Sequence, residues 1–171
     1  RNNHQIQVLY LFSQFQVTRE NDRKWTVFGQ IPYNPLMTLY EYSTHLSSLL
    51  DISSFPDISL NGVQIGAEDR ELKKVAFAVD ASLHSIREAV KENADILVVH
   101  HGLFWGYPIA IDGDHYRRVK EAIEGGLMLY AAHIPLDAHP IYGNNAMIAS
   151  ILSLEEKEGF GEWKGKTIGV K

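Results

Sequence analysis

The chain has 171 residues, 45% of them hydrophobic, and a formal net charge of −5. This composition is ordinary for one globular domain, and the charge argues against a nucleic-acid partner. No cysteine occurs, which excludes disulfides and cysteine zinc sites, so a metal must have nitrogen and oxygen ligands. The sequence contains no apolar run of membrane-spanning length and no clear signal-peptide core. We therefore expect a cytoplasmic protein without a membrane partner.

The first 36 residues differ in composition from the rest of the chain. They are rich in Asn, Gln and aromatic residues, show no sustained periodicity, and contain one segment, "KWTVFGQI" (24–31), that fits a short strand. We expect residues 1–36 to be an N-terminal extension of uncertain origin. An ordinary N-terminal strand and loop is the alternative. Residues 37–171 are then the main domain.

A helix is predicted over residues 38–50. "TLYE" is a capping box, with Thr38 as N-cap and Glu41 three residues later, and apolar residues follow at helical spacing. The next segment, "DISSFPDISLNG" (51–62), is predicted to be a loop because it is rich in turn-forming residues.

Three short apolar runs alternate with two amphipathic segments, 81–94 and 114–126. The runs are 75–80, 95–101 and 127–133. This β-α-β-α-β pattern predicts an α/β fold with a parallel sheet and right-handed connections. Because the runs are continuously apolar, the strands should be buried on both faces. A further helix is predicted within residues 144–154.

Polar residues stand where each predicted strand ends. These are Asp80, the pair His100 and His101, and His133, with Asp137 four residues further on. The carboxyl ends of parallel strands share one edge of a sheet, where open α/β sheets place their ligand sites. The sequence therefore predicts a cluster of histidines and carboxylates at this edge.

Most of these residues also have a simpler interpretation. Asp80 precedes a helix and is most simply its N-cap, and His133 is as easily a hydrogen-bonded core histidine. His115 and His139 are expected near the surface or beside the ligands, and His45 and His84 to be ordinary helix residues.

The pair His100-His101 favours a metal site over a packing role. Neighbouring side chains of a strand point to opposite faces, so a regular strand would offer only one ring to a single ion. Either the strand turns at Gly102 and brings both rings to one edge, or the rings serve two different ions. The sequence identifies no catalytic residue, since it has neither a nucleophile elbow nor a phosphate-binding loop.

Three blocks of the sequence resemble a known family. They are "LNGVQIG" (60–66), "ADILVVHHGLFWG" (94–106) and "LYAAHIPLDAHPIYGNN" (129–145). The blocks are similar to those of the GTP cyclohydrolase 1 type 2 homologues, also called the NGG-one-interacting-factor-three-like, dinuclear metal centre family. The resemblance runs from about Met37 to the end of the chain. It implies a fold of two related lobes and a toroidal homohexamer with pairs of metal ions facing an internal cavity.

The same resemblance implies that His100, His101 and Asp137 are metal ligands. The family's remaining ligands are a His and a Glu on a late helix, whereas no histidine follows His139 here, so we expect the site and the two-lobed fold to be incomplete. Two divalent ions per subunit are implied in the complete site, and zinc, iron, manganese and nickel all suit such ligands.

Other residues are candidates for supporting roles around the ligands. His133, His139 and Asn61 are expected beside the metal ligands rather than among them. Asn61 and Gln64 could orient groups at the edge, although a loop whose turns use Gly62 and Gly66 is the simpler interpretation. Phe104 and Trp105 could line a substrate cavity or fill a subunit contact.

Two classes of function follow from these expectations. The first is a divalent-metal-dependent hydrolase that uses water activated by the metal, with an unknown small-molecule substrate; GTP ring opening is implied by the family name alone. The second is a non-catalytic metal-binding protein, or an oligomeric scaffold or regulatory protein.

Overall fold

Six strands form the main sheet of the computed structural model, which describes residues 15–20, 24–29, 37–155 and 158–171, the first two ranges as backbone alone. The strands are β1 (Phe15–Glu20), β2 (Lys24–Gly29), β3 (Gly62–Ile65), β4 (Val75–Asp80), β5 (Ile96–His101) and β6 (Met128–Ala131). Their order across the sheet is β1-β2-β4-β5-β6-β3.

The three central strands are parallel neighbours. β4 pairs with β5 and β5 pairs with β6, both in parallel. The connections are helix α2 (Leu83–Lys91) and helix α3 (Gly113–Glu124). This arrangement confirms the predicted α/β fold and its β-α-β-α-β core.

The outer strands are antiparallel. β2 pairs with β4 and with β1, and β3 pairs with β6 on the opposite side of the sheet. The strand predicted within residues 24–31 is confirmed over Lys24–Gly29, and the predicted domain boundary at residue 36 lies outside the described residues. β3 was not predicted, because it is only four residues long and begins at a glycine in the left-handed region, Gly62 at φ 103°.

Both faces of the central sheet are covered. Ile96 and Val98 of β5 pack into one hydrophobic cluster with helix α1 (Leu39–Leu49), whereas Leu97 and Val99 pack into another with α2 and α3. Successive residues of a strand point to opposite faces, so continuous apolar sequence buries both. The predicted two-sided burial is confirmed.

The capping box predicted for α1 is present. The backbone N–H of Glu41 donates to Thr38 Oγ1 at 3.3 Å, and the backbone N–H of Thr38 donates to Glu41 Oε2 at 2.8 Å. Two backbone N–H groups at the helix start, which lack partners within the helix, are thereby satisfied by side chains.

The prediction that Asp80 caps α2 was wrong. The N-cap is Ser82, whose Oγ accepts a hydrogen bond from the backbone N–H of Ser85 at 3.0 Å. Asp80 is the last residue of β4, two positions too early for the cap, and its side chain contacts a histidine instead.

The remaining elements lie outside the six-stranded sheet. Loop residues 51–62 contain one 3-10 turn, Ile52–Ser54, and two helices come after β6: α4 (Ile134–Ala138) and α5 (Asn144–Ile151). A separate antiparallel hairpin, not predicted, pairs β7 (Gly159–Trp163) with β8 (Lys166–Val170). Among the described residues, every helix is too short or too polar to cross a membrane.

Candidate metal centre

Three histidine rings lie together at the carboxyl edge of the parallel strands. His100 and His101 end β5, and His133 stands two residues beyond β6. One ring nitrogen from each lies within 4.8 Å of the others. The ring centroid of His100 is 4.5 Å from that of His101 and 4.9 Å from that of His133. Both rings of the adjacent pair therefore reach the same place, the first of the two predicted arrangements.

A different carboxylate contacts each of these histidines. The pairs are His100 Nε2 with Asp137 Oδ1 at 2.9 Å, His101 Nδ1 with Asp80 Oδ1 at 2.7 Å, and His133 Nδ1 with Asp57 Oδ2 at 3.1 Å. Each contact involves one nitrogen of the ring. Metal-binding histidines in proteins commonly have such carboxylate partners.

Asp137 lies in α4, on the same edge as the histidines. Its Oδ1 contacts His100 and accepts a hydrogen bond from the Asn144 side chain at 2.8 Å. Burial alone would raise the pKa of Asp137, but the hydrogen bonds from His100 and Asn144 and the nearby His133 lower it below the usual value. The Asp137 side chain is therefore an anion at neutral pH and can bind a cation.

Asp57 is the residue that sequence reasoning missed. It comes from the predicted loop 51–62, and only 1% of its side chain is exposed. Burial favours a higher pKa, but hydrogen bonds from Asn61, from the backbone N–H groups of Ser59 and Ile134, and from His133 lower the pKa below its usual value. The loop's sequence gives no register with the sheet edge, so its carboxylate could not be assigned to the site.

Two amides of the loop and β3 hold the edge in position. Asn61 Oδ1 accepts from the backbone N–H of His133 at 2.8 Å. Gln64 Oε1 accepts from the backbone N–H groups of Leu103 at 2.6 Å and Phe104 at 3.2 Å. The chain leaves β5 at Gly102, where the backbone lies against the Gln64 side chain. Any Cβ at position 102 would collide with that side chain.

The two aromatic residues after the histidine pair have different surroundings. The ring centroid of Trp105 lies 5.1 Å from that of His133 and 6.3 Å from that of His101, so this side chain borders the site. Phe104 packs against the chain's own hydrophobic core and against His115, with ring centroids 5.1 Å apart.

The other histidines among the described residues stand apart from the three clustered rings. His115 is 6% exposed, so the expectation of a surface position was wrong; burial lowers its pKa, with Arg118 adding to the effect. His139 Nδ1 accepts from the backbone N–H groups of Ile141 and Tyr142, and its ring stacks on Tyr142. Burial lowers the pKa of His139. His45 and His84 are exposed helix residues, as predicted.

The donor set at this edge fits a divalent metal ion. Three imidazoles and a carboxylate, without a thiolate, are ligands that suit zinc, iron, nickel or manganese. The side chains of His100 and His133 are 15% and 20% exposed and that of His101 is 44% exposed, so His101 is the ring most accessible to solvent.

The chain is similar to curated proteins that share one name. It is 55% identical over 125 residues to a "GTP cyclohydrolase 1 type 2 homolog" of Deinococcus radiodurans, covering 73% of this chain and 47% of that protein. It is 50% identical over 133 residues to the protein of the same name from Archaeoglobus fulgidus, covering 78% and 54%. The chain thus spans about half the length of these relatives.

Solved structures agree with these sequence relatives. The protein TTHA1606 from Thermus thermophilus superposes with a TM-score of 0.69 at 45% identity, over 72% of this chain and 51% of that one. Reduced HcgD from Methanocaldococcus jannaschii superposes with a TM-score of 0.60 at 27% identity, over 72% and 51%. A sequence model of Duf34/NIF3 (NGG1p interacting factor 3) matches residues 37–170. The chain therefore belongs to the Duf34/NIF3 family.

Proposed function

We propose that the carboxyl edge of the sheet is a divalent-metal site in which His100, His101 and Asp137 are ligands, with His133 as a further nitrogen donor. The observation that carries the proposal is the convergence of one ring nitrogen from each of three histidines within 4.8 Å. Asp137 adds a negative charge next to His100. A carboxylate of this kind would balance part of the positive charge of a bound divalent cation.

We propose further that the site belongs to a metal-dependent hydrolase. A bound divalent ion supplies Lewis-acid activation of water and stabilises charge that develops in the transition state. The chain's own residues would hold the ligand geometry, and Trp105, which borders the histidines, would face a substrate there. The shared name of the relatives points to GTP ring opening as the first reaction to test.

The alternative is a protein that binds metal without turnover. The chain covers only about half of each of these relatives, and the relatives' other halves could supply groups that hydrolysis needs. Turnover of nucleotides, phosphoesters and cyclic amides that depends on added metal would support the hydrolase. Stoichiometric metal binding without turnover of this panel would support the alternative.

The ligand assignment is tested by two matched variants. Asp137→Ala should reduce metal affinity roughly tenfold or more, because the ions lose a ligand and its negative charge. His139→Ala is the control, since the His139 ring bonds to the backbone of Ile141 and Tyr142 and not to the three clustered histidines. Metal content is measured by elemental analysis after dialysis. Loss of metal from the His139 variant with retention in the Asp137 variant would contradict the assignment.

A further inference from the structure

We propose that Asp57 is a positioning residue that fixes His133 in the tautomer with Nδ1 protonated, so that Nε2 is the nitrogen that His133 offers at the site. The consequence for metal affinity rests on the function proposed above. The tautomer itself does not depend on that function, and it can be measured without metal.

The surroundings of Asp57 consist of hydrogen-bond donors. Its Oδ2 accepts from the side chain of Asn61 and from the backbone N–H of Ile134, each at 3.1 Å, and its Oδ1 accepts from the backbone N–H of Ser59 at 3.1 Å. His133 Nδ1 lies 3.1 Å from Oδ2 and 3.3 Å from Oδ1. An ionised carboxylate can only accept hydrogen bonds, so Nδ1 of His133 must carry the proton. In a neutral ring, Nε2 then has the free lone pair.

The backbone of His133 is fixed from the same loop. Asn61 donates to Asp57 through Nδ2 and accepts from the His133 backbone N–H through Oδ1, at 3.1 Å and 2.8 Å. Both the ring and the backbone of His133 are therefore tied to one short segment. The ring lies beside the histidine pair, with its centroid 4.9 Å from that of His100 and 5.6 Å from that of His101.

Asp57 differs from the carboxylates that contact the other two histidines. The side chains of Asp137 and Asp80 are 26% and 65% exposed, whereas that of Asp57 is 1% exposed. A carboxylate removed from solvent and surrounded by donors is poorly placed to bind a cation directly. Its role is therefore to orient the histidine. Orienting partners of this kind typically change metal affinity by about 10- to 100-fold when they are removed.

The tautomer is tested first, in the metal-free chain. Nitrogen-15 NMR of the histidine side chains, at a pH where imidazole is neutral, should show His133 protonated at Nδ1; His133→Ala identifies its signals. In Asp57→Asn the preference for Nδ1 should weaken or disappear. A wild-type His133 protonated at Nε2 would overturn the proposal, and this measurement stands even if the Asp57 variant does not fold.

Metal affinity is tested by titration with Co²⁺ alone. Asp57→Asn should weaken binding about 10- to 100-fold in the wild-type background and little in a His133→Ala background. Asp80→Asn is the control for the NMR measurement. It removes the same charge at the same edge and should leave the His133 tautomer unchanged. Equal losses from Asp57→Asn in both backgrounds would overturn positioning through His133. Absence of Co²⁺ binding to wild type, together with the expected tautomer, would instead contradict the proposed metal site.

Discussion

Tyr42 and Tyr130 place two hydroxyl groups in the hydrophobic core between α1 and the sheet. The Tyr130 hydroxyl is 3.0 Å from Ser47 Oγ, whereas that of Tyr42 has no hydrogen-bond partner within the part of the chain that the structure describes. Burial raises the pKa of Tyr130 to about 12, and it raises that of Tyr42 as well, with a further contribution from Tyr130. The folded protein therefore keeps both protons in a pH range where an unfolded chain loses them.

Alkaline pH should destabilise the protein through these two residues. An unfolded tyrosine ionises near pH 10, so the stability that each contributes is fully present below pH 10 and is lost as the pH rises towards the folded pKa. For Tyr130 this loss is about 3 kcal/mol between pH 10 and 12. Tyr130→Phe should make the decline shallower in urea unfolding at successive pH values. Tyr107→Phe, at an exposed position, is the control, and an equal change from it would contradict the prediction.

At the scale of elements, α2 and the end of β4 divide two tasks between neighbouring polar residues. Ser82 caps the helix through the backbone N–H of Ser85. Asp80 contacts His101 at the edge of the sheet. Ser82 therefore stabilises the start of the helix, and the Asp80 carboxylate contacts His101 at the candidate site instead.

Substitution of the two residues should separate these tasks. Ser82→Ala should lower the free energy of unfolding by about 1 kcal/mol, because a helix N–H loses its acceptor. Asp80→Ala should cost less, since its pair with His101 is largely exposed and such pairs contribute little. Urea unfolding at neutral pH measures both. A larger loss of stability from Asp80→Ala than from Ser82→Ala would indicate that the start of the helix depends on Asp80.

The elements that could be predicted from sequence are those with strong periodicity or long apolar runs. β4, β5 and β6 are buried on both faces, so nearly every residue carries the signal. β3 is only four residues long, and glycine occupies two of the first three positions of β7. Neither strand therefore shows an apolar pattern that would predict it from the sequence. Their positions depend on tertiary pairing, as with β3 against β6.

The residues of the candidate site likewise divide into those that could be predicted from the sequence and those that could not. His100, His101 and Asp137 could be assigned to one edge, because parallel strands align the residues that follow them. Asp57 could not, since it reaches His133 across 76 positions of sequence from an irregular loop. Only the folded loop brings its carboxylate to the edge.

At the scale of the whole molecule, α5 leaves an apolar side exposed. Ile148 is 55% exposed, Ile151 65% and Leu152 63%, and residues three and four positions apart share one side of a helix. Exposed apolar side chains grouped in this way commonly mark protein contacts. We propose that this side contributes to self-association, with the homohexamer implied by the family resemblance as the expected assembly.

Light scattering tests the assembly. The chain should form an oligomer, and Ile151→Glu should weaken it, because a charge would have to be buried in the contact. Ser82→Ala, which lies outside this surface, is the control. A monomer at high concentration of the wild-type chain would contradict the proposal.

The proposed ligands His100 and Asp137 lie 37 positions apart in the sequence. An ion bound at this edge would therefore act as a removable cross-link that closes a long segment of chain. A ligand that binds only the folded state adds about 3 kcal/mol of stability at a free concentration of about 100 times its Kd. The melting temperature would then rise with the free concentration of the cation, and a chelator would lower it without any change to the protein's side chains.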